Sequence, residues 1–183
     1  MEREKAWELV CAHLKSENLR KHSLAVEAVM VSLAKHLGQN KEGWGLAGLL
    51  HDIDYEETAE DVERHGLRST EMLEAYQLAP DILHAIAAHN PATQIKQETL
   101  LDKTLYAADP VTGLLTASAL VKPSKKLADV EVTSVKKKFK DKAFARGANR
   151  EQIDTCVNLG LERAEFLALA LDAMKPIAKE LGL

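Results

Sequence analysis

The chain has 183 residues, of which 46% are hydrophobic, enough to form one core and too few to suggest two domains. Its 24 Lys and Arg against 28 Asp and Glu give a net charge of −4, which argues against binding a nucleic-acid polymer through general phosphate neutralisation. The sequence has no apolar signal core at its start and no apolar run of about 20 residues, so we expect a cytoplasmic protein without membrane contact.

Charge is distributed unevenly along the chain. Residues 52–81 contain ten acidic side chains against two arginines, whereas residues 122–142 contain eight lysines against three acids. The first stretch suits cations and the second suits anions. The two cysteines, Cys11 and Cys156, are too few for a disulfide framework and fit ordinary thiols in a reducing compartment.

Strong helix formers and apolar residues spaced three or four apart predict an all-α fold. Asn18 is a candidate cap for a helix over residues 19–37, and Gly38 is suited to end it in the left-handed conformation. His22 shares the apolar face of this helix with Val26, so we expect its side chain to point inward.

The remaining elements follow in chain order. We expect a helix over about 41–52, an acidic loop over 55–64, and helices over 67–76, 81–89 and 98–109, the last limited or kinked by Pro110. Beyond it we expect helices over 113–120, 134–140, 150–157 and 161–181. Because there is no internal repeat or linker, we predict a single domain, residues 1–183, with a core of about 18–115 and a C-terminal extension, 116–183, packed on it.

An adjacent His51-Asp52 pair follows the apolar run 46–50. One interpretation is that His51 ends a helix, where a positive charge favours the dipole, and that Asp52 begins a turn. The other is a metal site, because imidazole and carboxylate are the groups that bind borderline and hard divalent ions. From this pair alone, both interpretations stay open.

The order of His22, His51-Asp52 and Asp109, each on or beside an apolar helix face, resembles the HD superfamily of metal-dependent phosphohydrolases. The resemblance covers about residues 19–115 and includes the segments RKHSLAVEA, GLAGLLHDIDYE, ERHG, AIAAHN and LYAADP. The whole chain is similar to a family of small HD hydrolases of unassigned substrate. The resemblance implies an all-α HD-domain helical bundle with additional C-terminal helices.

The resemblance also implies a ligand set. His22, His51, Asp52 and Asp109 would surround one divalent transition metal, either manganese, iron, cobalt, nickel or zinc, with positions open for water and substrate. Asp52 is the residue expected to matter most for catalysis. One ion is the primary expectation and two ions are the alternative.

A second ion is implied by two further histidines. His65 and His89 match the members of the superfamily that bind two metals, in which Asp52 would bridge the ions. Helical phase favours His89 over His84, because His89 lies on the apolar face of its predicted helix and His84 lies nearly opposite. We therefore expect His84 at the surface.

Two features depart from or add to the pattern. HDIG-type relatives have a glycine where this chain has Asp54, whose carboxylate could hydrogen-bond a ligand or transfer a proton. Lys125 and Lys126, in the turn after the Asp109 helix, could fold over the site and bind a substrate phosphate. A solvated lysine face is the alternative for these two side chains.

The sequence thus predicts metal-dependent hydrolysis of a phosphate monoester or diester, with a small phosphorylated substrate such as a nucleotide as the partner. Alternatives are a diiron oxygenase of the HD fold, a catalytically silent nucleotide-binding or scaffold protein, and a metal-free interaction domain. An apolar stripe in the last helix is expected to pack on the core or in a homodimer; it comprises Leu161, Ala164, Leu167, Ala168 and Leu171.

Overall fold

The computed structural model describes residues 1–183 and contains helices but no strand, which confirms the all-α prediction. The α-helices are α1 (Arg3–His13), α2 (Glu17–His36), α3 (Lys41–Leu50), α4 (Tyr55–Thr58), α5 (Leu67–Leu73), α6 (Pro80–Ala88), α7 (Leu100–Leu120), α8 (Val132–Lys140), α9 (Arg150–Asp154), α10 (Arg163–Met174) and α11 (Ala178–Leu181). Short 3-10 turns join several of them. None of the helices combines the length and the apolarity that a bilayer crossing requires.

The start of α2 differs from the sequence prediction. The helix begins at Glu17 with Ser16 at the cap position, so the prediction that Asn18 caps it is wrong. The carboxylate of Glu56 accepts hydrogen bonds from the backbone N–H groups of Lys15 and Ser16 at 2.8–3.1 Å. This distant carboxylate satisfies amide donors at the α1–α2 junction, a role that a local cap would otherwise have to fill. The predicted end is confirmed, because Gly38 has φ +67°.

Helix α7 is continuous across the proline in its middle. The helix extends to Leu120, so the prediction that Pro110 limits it is wrong. Proline has no N–H group, which leaves the carbonyl oxygen of Tyr106 without its helical donor. The side-chain amide of Gln152 donates to that oxygen at 3.4 Å and also to the carbonyl oxygen of His89 at 3.3 Å. A residue from α9 therefore compensates for the proline.

Forty-three buried residues form one hydrophobic cluster to which elements from α1 to α11 contribute. Three residues of the stripe predicted near the C-terminus, Leu161, Leu167 and Leu171, belong to this cluster, whereas Ala164 and Ala168 are half-buried. The helix predicted over 161–181 is divided into α10 and α11 by a 3-10 turn, Lys175–Ile177. The division into a core of 18–115 and an extension of 116–183 stays a prediction.

Helices α2 and α3 approach closely because α3 presents glycines to α2. A Cβ atom at Gly48 would lie 2.9 Å from Cγ of Met30 and 3.0 Å from the carbonyl oxygen of Val26. At Gly45 it would lie 2.9 Å from Cγ2 of Val31. The absence of side chains at both positions lets the two helix backbones pack directly. This contact fixes the end of α3 relative to α2.

We expect Gly48→Ala to be about 1–3 kcal/mol less stable to unfolding than Gly113→Ala, because the added methyl group forces the α2–α3 packing apart. Gly113, on α7, is the matched control, since a Cβ atom there meets nothing within 4 Å and the gain in helix propensity is the same. Urea unfolding followed by circular dichroism measures the difference. Equal stability of the two variants would contradict the close packing of α2 on α3.

Candidate metal centre

The structure brings together all six side chains predicted to bind metal. They come from separate elements: His22 from α2, His51 and Asp52 directly after α3, His65 before α5, His89 directly after α6, and Asp109 from α7. His51, His89 and Asp52 are buried, whereas the side chains of His22 and Asp109 are 23% and 25% exposed. The cluster therefore has a closed interior and one accessible side.

One half of the cluster is formed by His22, His51, Asp52 and Asp109. Nε2 of His22 lies 3.0 Å from Oδ1 of Asp109 and 3.5 Å from Oδ2 of Asp52. Nε2 of His51 lies 3.2 Å from Oδ1 of Asp52 and 3.7 Å from Oδ1 of Asp109. Two ligand atoms bound to one transition metal at about 2.1 Å lie roughly 3.0–3.4 Å apart. The observed separations are close to that spacing.

The other half is formed by His65 and His89 on the opposite side of Asp52. Their Nε2 atoms lie 3.1 Å from each other. They lie 3.2 Å and 3.4 Å, respectively, from Oδ1 of Asp52. The carboxylate of Asp52 therefore contacts imidazoles of both halves, as a bridging ligand must.

The four imidazoles share one orientation. Each has its Nδ1 atom at a protein oxygen and its Nε2 atom toward the carboxylates; the partners of Nδ1 are Gly48 O for His51 (2.8 Å), Ile86 O for His89 (2.6 Å), Asp54 Oδ1 for His65 (2.8 Å) and Thr112 Oγ1 for His22 (3.1 Å). A neutral ring that donates from Nδ1 has a free lone pair at Nε2, which is the usual arrangement of metal-bound histidine.

One buried nitrogen lacks a hydrogen-bond partner. Nε2 of His51 is inaccessible, and its contacts with Asp52 and Asp109 do not have hydrogen-bond geometry. A buried polar atom without a partner costs about 1–3 kcal/mol. A cation coordinated by this nitrogen would remove that cost. The donor set and the orphaned nitrogen both fit a divalent metal.

The electrostatics of the cluster favour ionised carboxylates. Burial raises the pKa of Asp52, but the imidazoles of His51, His65 and His89 outweigh it and hold that pKa well below its ordinary value. Burial likewise raises the pKa of Asp109, and its contacts with His22 and His51 again lower it overall. Both side chains are therefore in the anionic form that binds cations.

The charge on His65 follows from the same contacts. Burial lowers the pKa of its imidazole, but hydrogen bonds to Asp52 and Asp54 reverse this effect and raise the pKa to about 10. In the metal-free protein a proton on Nε2 of His65 therefore lies between the ring and its neighbours. A cation binding to His65 would have to displace this proton.

Asp54 orients His65. Its fully buried carboxylate accepts hydrogen bonds from Nδ1 of His65 at 2.8 Å and from the backbone N–H groups of Gly66 and Ser69 at 2.7 Å and 2.9 Å. Of the two roles that the sequence leaves open for Asp54, the structure shows a hydrogen bond to one of the clustered histidines. Asp54 stands where HDIG-type sequences have a glycine, and its carboxylate supports the imidazole of His65.

A glycine lets the loop carrying His65 approach α6. Gly66 has φ +88°, and a Cβ atom there would lie 2.8 Å from the carbonyl oxygen of Ile86 and 3.2 Å from Cε1 of His89. The same carbonyl accepts the hydrogen bond from His89. Asn90 strengthens the junction by donating to the carbonyl oxygens of Val62 and His65 at 2.6 Å and 3.0 Å.

Two supporting residues were missed by the sequence analysis. Thr112 lies one turn after Asp109 on α7; its hydroxyl donates to the carbonyl oxygen of Asp109 at 2.9 Å and contacts His22. Gln152 supports His89 from α9. The need for a side-chain donor such as Gln152 could be inferred from Pro110, because a proline inside a buried helix leaves one backbone carbonyl without its helical N–H partner.

A cavity of about 310 Å³ opens beside the cluster and is lined in part by His22, Asp52 and Asp109. Lys125 and Lys126 do not line it and are exposed beyond the end of α7, so the predicted phosphate contacts from these lysines have no support in the geometry. The end of α7 lies about 16 Å beyond Asp109 along the helix axis, which explains why the two lysines are far from the cluster. His84 is outside the cluster, as expected, and contacts Asp102 at 2.9 Å.

The sequence model of the family described as HD domain matches residues 19–113. This match includes all six clustered residues and more than half of the chain. The chain belongs to the HD-domain family. The HD superfamily resemblance and the all-α HD fold predicted from the sequence are therefore confirmed.

Curated relatives of this HD-domain protein are named Ribonuclease Y. The protein of Nitratidesulfovibrio vulgaris is 33% identical over 139 residues, covering 74% of this chain and 26% of the relative. That of Syntrophobacter fumaroxidans is 30% identical over 169 residues, covering 91% and 32%. The chain thus spans between a quarter and a third of the length of these relatives. No solved structure gave a significant match.

We expect Asp54→Asn to weaken binding of a cation at the His65–His89 half of the centre about 10- to 100-fold, because the imidazole loses its anionic support. Asp61→Asn, an exposed carboxylate of the same acidic segment, is the matched control and should leave binding unchanged. Isothermal titration with Mn²⁺ measures both variants. Wild-type affinity in Asp54→Asn would show that the carboxylate does not position a ligand.

Proposed function

We propose that this HD-domain protein is a metal-dependent phosphohydrolase. One divalent cation binds at His22, His51, Asp52 and Asp109, and a second binds at Asp52, His65 and His89. The observation that carries the proposal is the shared orientation of the four imidazoles, with Nδ1 tied to the protein and Nε2 facing Asp52. The HD family and the relatives named Ribonuclease Y support a hydrolase.

When bound, the cations supply Lewis acidity and lower the pKa of a coordinated water. The chain contributes the arrangement of ligands. Its buried carboxylates offset the positive charge, and the fixed imidazoles hold their orientation without reorganisation during the reaction. His22 and Asp109 form the accessible side of the cluster, so substrate approaches from the cavity next to them.

The cavity favours a phosphodiester over a phosphomonoester. Lysine and arginine are absent from its lining, so a doubly charged monoester would find no guanidinium or ammonium group there. A diester has a single negative charge and needs fewer cationic partners. The name Ribonuclease Y borne by the curated relatives points to the same bond type.

Turnover of bis-p-nitrophenyl phosphate and of p-nitrophenyl phosphate, measured after chelation and reconstitution with Mn²⁺, Fe²⁺, Co²⁺, Ni²⁺ or Zn²⁺, tests the proposal. We expect hydrolysis of the diester only with metal, and a loss of about 100-fold or more in Asp52→Asn, because its carboxylate contacts both halves of the centre. Asp61→Asn should retain wild-type turnover.

Three other outcomes would contradict this function. Full diester turnover after chelation would show that hydrolysis does not require a metal ion. Oxygen consumption by the iron-loaded protein, without phosphate release, would identify an oxygenase. Tight nucleotide binding without turnover of any phosphate ester would identify a silent binding protein.

Cation binding should also release a proton at about pH 7.5, because the pKa of His65 is about 10 in the metal-free protein and its Nε2 atom must lose its proton to bind metal. The apparent enthalpy of binding should therefore differ between Tris and HEPES buffers, which take up protons with different heats. In His65→Asn this buffer dependence should decrease by about one proton. Identical enthalpies in both buffers would contradict the assignment of His65 as a ligand.

A further inference from the structure

The basic segment, residues 136–146, is a cluster of cations that the metal centre does not use. It contains Lys136, Lys137, Lys138, Lys140, Lys142 and Arg146 against a single acid, Asp141. All but Lys138 are exposed. None of the six forms a salt bridge, and no other stretch of eleven residues in the chain contains as many cations. The segment therefore presents positive charge that the chain itself does not neutralise.

The basic segment leads directly to the catalytic cavity. The two residues that follow it, Gly147 and Ala148, line the same cavity as His22, Asp52 and Asp109. None of the six cations lines the cavity, and Arg146 directly precedes a residue that does. A ligand at the metal centre that extends past Gly147 would enter their field.

Arg150 holds the basic segment in a fixed conformation. Its guanidinium group donates to the carbonyl oxygens of Phe144, Ala145 and Ala148 at 2.5, 2.7 and 2.6 Å. Ala145 adopts a left-handed conformation, with φ +45°, which costs free energy and persists only where the surroundings enforce it. Because the segment is already ordered, binding a ligand would cost less conformational entropy.

An exposed aromatic side chain lies at the same cavity. Tyr55 is 44% exposed and lines the cavity, with its ring 5.3 Å from that of His65 in an edge-to-face arrangement. Exposed aromatic rings beside cations are the platforms on which unpaired bases stack in proteins that bind single strands.

The charge pattern selects the kind of ligand. A small phosphate ester has its phosphate at the metal centre and nothing left to contact cations outside the cavity. A strand with regularly repeated phosphates can meet both, since the lysines of α8 alone, from Lys136 to Lys140, extend over about 6 Å along the helix axis. The net charge of −4 averages these cations with the acidic segment 52–81 and so conceals them.

We propose that the basic segment binds the phosphate backbone of single-stranded RNA, with one base stacked on Tyr55 and one phosphodiester at the metal centre. This inference rests on the proposed phosphodiesterase function and adds to it the substrate class and the surface that recognises it. Binding depends on charge and stacking and therefore shows little sequence preference.

Fluorescence anisotropy with a labelled oligouridylate of about 15 nucleotides tests the surface. In the triple variant Lys137→Gln, Lys140→Gln, Lys142→Gln we expect the Kd to rise at least about 10-fold, and the slope of log K against log salt to fall by about 2. The matched control is Lys35→Gln, Lys41→Gln, Lys96→Gln, which removes three exposed lysines that form no salt bridge. Its Kd should stay at the wild-type value.

Tyr55 has its own pair of variants. Tyr55→Leu should weaken oligouridylate binding about five-fold or more, whereas Tyr55→Phe keeps the stacking surface and should bind normally. Equal binding of both variants and wild type would overturn the stacking role.

Small-diester turnover separates this inference from the proposed function. The triple variant should hydrolyse bis-p-nitrophenyl phosphate at the wild-type rate, because the lysines lie outside the cavity. If no form of the protein hydrolyses the diester, the proposed function fails while selective loss of RNA binding still supports the surface. Equal loss of binding in both lysine triples, no loss in either, or tighter binding to anionic phospholipid vesicles than to RNA would overturn the inference.

Discussion

The carboxylate of Asp52 is the group around which this protein is organised. An ionised carboxylate removed from water is costly unless it is paired and hydrogen-bonded. Here the imidazoles of His51, His65 and His89 lie within 3.2–3.4 Å of one of its oxygens, and that of His22 lies 3.5 Å from the other. Four separate elements must therefore meet at one point: α3 and α6 end there, α5 begins just after His65, and α2 passes alongside.

The imidazoles are in turn held by the backbone geometry of those elements. His51 and His89 each directly follow a helix and donate to a carbonyl three residues earlier, at Gly48 and Ile86. Both acceptors lie where a glycine permits a close approach, since Gly48 faces α2 and Gly66 faces Ile86. The same contacts that pack the helices thus also set the direction of the Nε2 atoms. Packing and chemistry are not separable in this part of the fold.

The sequence predicts the helices and the six clustered residues because both signals are simple. Apolar spacing is local, and the histidines and aspartates lie on or beside apolar helix faces. What it does not predict depends on partners far along the chain. Glu56 caps a junction 40 residues earlier, and Gln152 reaches a carbonyl 63 residues away at His89. The prediction that Lys125 and Lys126 bind phosphate depends on their closeness to Asp109 in sequence. Because α7 continues without a break to Leu120, these lysines lie away from the cluster.

Arg150 and Gln152 are two residues apart on α9, and their side chains hydrogen-bond two different parts of the chain. Arg150 holds the loop that ends the basic segment, whereas Gln152 holds the peptide of His89 beside the candidate metal centre. A displacement of this short helix changes both attachments together. Thermodynamic linkage then requires reciprocity: whatever cation occupancy does to the affinity for a polyanion, polyanion occupancy does to the affinity for the cation.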